Sequence, residues 1–272
     1  MFNFMAWIHP PGSSLVSRFV ENYWFLARPQ SSDRCQAPKL IPNTSANLVL
    51  TPPLQQHLYF SGTKHYSQQG SHLVSSLTQA LEMKHDSELV FLGIKLRPGV
   101  HWLISQCESQ ELLNSIREVP GPLTSLNDLV GETLNEAQTC HQLDIALEAY
   151  FCQLAIPKAF GVLERTLSIL TTDSGLLADL PYSRRTIERS FAKTTGMRIK
   201  QFSACRKLED LLIGILALSP DDLSWPTLAQ EFGYSDQSHM IREVKKALGK
   251  TPEQQMRAKD VVIDVYGDEF SD

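Results

Sequence analysis

No stretch of this sequence is apolar for long enough to cross a bilayer. The longest apolar run of note, Leu211–Leu218, falls far short of the ~20 residues a spanning helix needs, so no membrane association is expected. The N-terminus has no basic lead, and His9, Pro10 and Pro11 cut its apolar stretch short; it does not read as a secretory signal. The five cysteines, Cys35, Cys107, Cys140, Cys152 and Cys205, form no Cys-x-x-Cys pair. Free thiols in the cytoplasm are the expectation, without redox or zinc chemistry. Glycine-rich phosphate loops, Ser-His-Asp arrangements and paired-carboxylate motifs are missing as well. His57, His65 and His72 have neither His-x-His spacing nor a nearby carboxylate pair. No catalytic residue, cofactor or metal is therefore expected.

Excess positive charge is also missing: the formal net charge is −5, which counts mildly against a polyanionic partner. The average conceals an uneven spread. Residues 161–260 hold 15 Lys and Arg against 13 Asp and Glu. Residues 1–160 hold 10 against 13, and the last twelve residues carry four acids and no base. Within Arg184–Lys200 there are six bases and one acid, Glu188. A local basic face matters more to a polyanion than the total.

With 272 residues, 42% hydrophobic and 20% charged, the chain has the balance of about two globular domains. Its N-terminal part is strand-rich. Phe19–Leu26, Ala46–Leu50, His57–Ser61 and Leu89–Leu96 are short, aromatic or β-branched, and separated by Pro and Gly turn formers. That pattern predicts a sandwich or barrel. Val100–Ser105 and Gln110–Ile116 read as short helices. Helical spacing begins near Ser125, with Leu126, Leu129, Val130 and Leu134, and continues in Leu143, Ala146, Leu147 and Tyr150. The expected division is a domain over 1–155, an all-α domain over 160–259 and an acidic tail over 260–272. A helix over Asp144–Leu154 suits either a dimer interface or the domain junction.

The second half contains a repeat. Tyr182-Ser183 and Tyr234-Ser235 are 52 residues apart; Ile187/Met240, Arg189/Arg242, Phe191/Val244, Lys193/Lys246 and Gly196/Gly249 are each 53 apart. Each copy reads as a helix with a capping residue, Ser183 in one and Ser235 or Asp236 in the other, because a side-chain oxygen there accepts from free backbone N–H groups. Gly196 and Gly249 stand where a helix end takes a left-handed residue. Ile187, Phe191 and Thr194 share one face, as do Met240, Val244, Ala247 and Leu248, with basic and polar residues opposite. Shorter helices are expected before each copy, over Leu176–Leu180 and Thr227–Phe232. Met197–Leu218 reads as a joining helix about 33 Å long, close to the ~34 Å between successive major-groove sites on one face of B-DNA.

Leu228-Ala229, Phe232-Gly233-Tyr234-Ser235-Asp236-Gln237-Ser238-His239, Arg242-Glu243, Lys245-Lys246, Gly249 and Thr251-Pro252 resemble the signature of the AraC/XylS family of bacterial transcription regulators. The first copy adds Ser183, Arg185-Thr186-Ile187, Arg189, Phe191 and Thr195-Gly196. Pro10-Pro11, Phe19-Val20-Glu21, Tyr23-Trp24, Ile41-Pro42-Asn43, Asn47-Leu48-Val49 and Leu92–Gly99 resemble the sensor domain of some members. The resemblance implies an α+β chain: a β-rich sensor or dimerisation domain, then two helix-turn-helix motifs joined by a long helix. It implies a one-component regulator of promoter DNA, acting with RNA polymerase, under a small-molecule effector or through a homodimer.

It also implies base contacts at Arg185, Glu188 and Arg189 in the first motif and at Gln237, Ser238, His239 and Arg242 in the second. Their chemistry agrees: Arg grips guanine O6/N7, Gln pairs with adenine and Glu accepts from cytosine N4. Lys193, Lys200, Lys245 and Lys246 are expected at phosphates, which position without specifying. Departures are Met240 and Val244 where the family has Phe, Pro181 in place of a turn Gly, and Gln255 near a usual aromatic. The first motif is thus the less regular reader. Trp24, Tyr59, Arg97 and Trp102 could line a pocket, but aromatics at strand spacing are more often core, and no effector residue is assigned. Two rival readings are a DNA-targeted repair enzyme, which lacks a reactive Pro-Cys-His-Arg context here, and an interaction module with degenerate DNA contacts.

Overall fold

The computed structural model describes residues 5–28, 39–84, 89–130, 135–172, 177–216 and 224–257. Its strands are β1 (Met5–His9), β2 (Val20–Arg28), β3 (Lys39–Leu40), β4 (Ala46–Leu50), β5 (Gln56–Ser61), β6 (Lys64–Gln69), β7 (His72–Val74), β8 (Leu81–Lys84), β9 (Leu89–Leu96) and β10 (Ile116–Glu118). Its helices are α1 (Val100–Ser105), α2 (Glu136–Phe151), α3 (Lys158–Thr172), α4 (Arg184–Thr195), α5 (Ile199–Leu216), α6 (Trp225–Glu231), α7 (Gln237–Leu248) and α8 (Pro252–Arg257). The fold is α+β, antiparallel sheets followed by an all-helical region. No helix among the described residues is long and apolar enough to cross a membrane.

The strands form two sheets, ordered β1-β2-β9-β4-β7-β10 and β3-β8-β5-β6. The larger sheet is covered on both sides, which is why its strands read as near-continuous apolar runs. Successive side chains alternate between faces. One face illustrates this: Trp24, Leu26, Val49 and Phe91 meet Tyr59, Leu81 and Met83 of the smaller sheet. Tyr23, Phe25, Leu48, Leu50, Leu92 and Ile94 face the opposite way, toward helices. A bulge between Val20 and Asn22 lets Val20 join that second face despite its even number. The sandwich interior is closed by Trp24, whose ring lies over Gly93; a Cβ there would stand 1.7 Å from the indole. Trp24 Nε1–H donates to Asn47 Oδ1 at 3.1 Å.

Several local expectations change. The segment expected as a helix over Gln110–Ile116 is a 3-10 turn at Ser109–Leu112 followed by β10, whose Ile116 pairs with Val74. Residues 121–129 form a 3-10 helix. The joining helix α5 starts at Ile199, not Met197, because the Thr195 hydroxyl takes the Met197 N–H at 3.1 Å and holds the turn open. Its 18 residues span about 27 Å. Residues 217 and 218, like Leu176, Cys35 and the acidic tail, lie outside the described residues. Cys107, Cys140, Cys152 and Cys205 are free thiols.

Candidate nucleic-acid interface

Helix α7 forms where its apolar residues recur at helical spacing. Met240, Val244, Ala247 and Leu248 are buried and pack with Leu211, Leu212 and Ile215 of α5 and Leu228 and Ala229 of α6. Of the two candidate caps, Asp236 holds the position: its Oδ1 accepts from the His239 N–H at 2.7 Å. That N–H, with help from the Ser235 hydroxyl, holds the Asp236 carboxyl below its ordinary range. Between α6 and α7 the chain turns at Gly233, φ +66°, and the Tyr234 N–H returns to Ala229 O at 2.7 Å. Ser238, Arg242, Lys245 and Lys246 are exposed; Gln237 and His239 are half-buried. Arg242, Lys245 and Lys246 make no hydrogen bond or ion pair among the described residues.

Helix α4 repeats the plan. Ser183 Oγ accepts the Thr186 N–H at 3.2 Å, and Gly196 ends the helix at φ +73°. Ile187, Phe191 and Thr194 are buried, while Arg185, Glu188, Arg189, Lys193 and Lys200 are exposed. Glu188 pairs with Arg184 at 2.9 Å, an exposed contact that costs little to exchange for another partner. The helix before this turn is reduced to one 3-10 turn, Leu177–Asp179, followed by Pro181. Arg184, Arg198 and Lys200 border a groove of about 830 Å³ beside it.

The structure separates one residue from its group. The Lys193 ammonium lies 5.2 Å from the Trp102 ring centroid, a cation–π contact with the N-terminal half. Ser109 Oγ donates to Lys193 O at 3.5 Å, and a Cβ on Gly196 would come within 2.8 Å of Ser109 O. The end of α4 is thus seated on α1 and the turn after it. Two further residues had no signal in the sequence. Lys207 of α5 donates to Gly233 O at 2.5 Å and stands 3.8 Å over the Tyr234 ring, bracing the turn before α7. Glu209 of α5 reaches Lys95 of β9 at 3.4 Å and the Thr44 N–H at 3.2 Å.

Residues 176–258 match the family described as "Helix-turn-helix domain". Residues 176–258 of this chain therefore form a helix-turn-helix domain. No curated protein sequence matches the chain. Solved structures similar in outline include ToxT from Vibrio cholerae, 11% identical over 94% of this chain and 98% of that one, with a TM-score of 0.47. A second ToxT structure, of the wild-type protein with an unsaturated fatty acid bound, is 11% identical over 94% and 97%, with a TM-score of 0.47. The AraC-like transcriptional activator CuxR is 12% identical over 96% and 88%, with a TM-score of 0.25.

Between the two halves of the chain lies a cavity of about 480 Å³. Lys95 and Glu209 meet at its edge with side chains only 5% and 8% exposed, and Glu21 adds a second carboxylate to Lys95 at 3.1 Å. Burial pushes the Glu209 carboxyl up, against the pull of Lys95. Arg18 grips Glu164 of α3 at 2.6 and 2.8 Å. Arg97 uses its Nε on Ser17 O at 2.7 Å, and Phe160, Leu167 and Ile213 supply an apolar wall. Of the pocket candidates named from sequence, Arg97 alone lines this cavity. Trp24 and Tyr59 belong to the sandwich core, and Trp102 holds Lys193.

Proposed function

We propose that this chain is a one-component regulator that reads promoter DNA in the cytoplasm, with α7 as its principal reading helix and α4 as the second. The observation that carries the reading is the outward face of α7. Gln237, Ser238, His239 and Arg242 stand on one capped helix whose other face is fully packed. Arg185, Glu188 and Arg189 read bases from α4, and Lys200, Lys245 and Lys246 meet phosphates. Lys193 does so once it leaves Trp102. A small-molecule effector in the cavity between the halves sets how α4 and α5 sit on the sheets. Two facts support that location: the sandwich interior is filled, and the cavity is bounded by both halves. RNA polymerase is the downstream partner, and a homodimer supplies further half-sites.

Selection of bound DNA from a random pool tests the reading. An enriched site is expected, with log affinity falling linearly with log salt. Arg242→Ala should cost ~1–3 kcal/mol and relax specificity at one position. A pool that yields no enriched site ends the proposal.

A further inference from the structure

The turn before α7 holds a hydrogen-bond relay whose direction follows from counting protons. Asp236 Oδ1 takes the His239 N–H at 2.7 Å. Asp236 is ionised and can only accept. Ser235 Oγ stands 3.2 Å from Asp236 Oδ2 and 3.2 Å from His239 Nδ1. The hydroxyl has a single proton to place. A hydrogen bond to a carboxylate is roughly twice as strong as a neutral one, so that proton goes to Asp236. Ser235 Oγ then faces the imidazole with a lone pair, and Nδ1 must be the nitrogen carrying hydrogen. A neutral imidazole has one N–H. Nε2 is therefore left as a bare acceptor, and among the described residues nothing hydrogen-bonds to it. The ring plane is held too. Tyr234 meets it edge to face at 5.5 Å and 79°, and Lys207 braces Tyr234 from behind.

We infer that His239 recognises an amino group on a base edge, the N4 amine of cytosine or the N6 amine of adenine, and rejects guanine and thymine at its position. In the major groove cytosine and adenine present donors, whereas guanine offers N7 and O6 and thymine O4, all acceptors. An acceptor-only Nε2 pairs with the first two and repels the others. Ser235 and Asp236 are positioning residues that set the tautomer without touching DNA. The inference rests on α7 being the groove helix and adds the base class that one of its residues reads.

Two measurements on the full chain test it. Side-chain ¹⁵N correlation spectra at neutral pH should show Nδ1 of His239 protonated and Nε2 not, with Ser235→Ala shifting the ring toward the opposite tautomer. An Nε2–H or doubly protonated ring in the wild type overturns the relay. In DNA selection, His239→Ala should lose preference at one base pair by about tenfold, and the wild type should lose as much there when the cytosine or adenine of that pair is replaced by an analogue without the exocyclic amine. Ser235→Ala should accept that pair in either strand orientation while the rest of the site is kept. A wild-type protein indifferent to the missing amine, or the absence of any His239-dependent pair, overturns this inference alone. Failure of the wild type to enrich any site removes the DNA-reading proposal beneath it, even with the tautomer as stated.

Discussion

The two helix-turn-helix motifs share caps, spacing and an outward basic face, yet they are buried against different things. Around α4, Phe191, Met197 and Phe202 belong to the same apolar cluster as Phe19, Leu96, Trp102 and Leu112 of the N-terminal half. Phe191 and Phe202 meet edge to face at 5.1 Å inside that shared core. Around α7 the cluster is separate, built from α5, α6 and α7, and Ile41 is the N-terminal residue that joins it. A backbone hydrogen bond from Ala80 to Ala247 O, 3.0 Å, adds a polar tie. The first motif is therefore packed into the core of the N-terminal half. The second is a small lobe of its own. Repetition in sequence preserved the helix and its outer face, and the inner face adapted to whatever it covers.

Paired truncations should give the largest contrast. Phe191→Ala should cost ~3–5 kcal/mol and Met240→Ala ~2–5 kcal/mol. Hydrogen exchange should show the first loosening α4 together with β2 and α1, and the second loosening the C-terminal part of α5 with residues 224–257. Identical footprints would erase the distinction.

Acid should separate the two regions next. Burial pushes His72 and His101 down to about 4, with Arg117 adding to the effect on His101. Unfolded histidine takes its proton near ~6.5. Between those values the unfolded chain binds more protons, so stability falls as pH drops from ~6.5 toward ~4, by about 3 kcal/mol for each histidine. Asp236 behaves otherwise. Its folded value is depressed, so its contribution is present above the ordinary carboxylate range and is lost only as pH falls through the lower folded value. Protection factors, exchange rates taken relative to the unfolded chain at the same pH, should fall first in the sheets and α4 between pH 7 and 4. Earlier loss in α6 and α7 would contradict the assignment.

The smallest expected effect tests the seat of Lys193. Trp102→Leu keeps an apolar filler and removes a cation–π contact of ~0.5–1 kcal/mol. DNA affinity should rise slightly, and the salt dependence should steepen by about one unit. An unchanged slope would mean that Lys193 meets no phosphate.

Where the backbone's needs are local, residue types disclosed the structure. The caps Ser183 and Asp236, the glycines that end α4 and α7, and the apolar stripes of both helices all follow from neighbours within one or two turns. The strands β4 and β9 were legible because both of their faces are buried. The strand β6 was not: Lys64–Gln69 runs along an edge with its side chains largely in water, so it carries no apolar period. Ile116 reads in sequence as a helix end because β10 is only three residues long and owes its existence to pairing with β7. Lys95 and Glu209 are 114 residues apart, and Lys207 braces a turn 26 residues on. Contacts of that reach leave no spacing to read. At α7 the sequence left Ser235 and Asp236 as equal candidates for the cap, and only the geometry assigns them different tasks.

The shared core around Phe191 also bears on how such a protein can be cut and rejoined. A fragment beginning at α3 would carry α4 away from Trp102 and Leu112 and present a greasy, unfinished surface to water. Fusing the helix-turn-helix region to a foreign N-terminal domain would transplant half of a core without its complement. The lobe of α6, α7 and the C-terminal part of α5, closed around Met240 and Val244, comes nearer to a portable cassette, although Phe202 and Glu209 still tie α5 to the N-terminal half. The boundary that matters for engineering runs through the repeat, between its two copies.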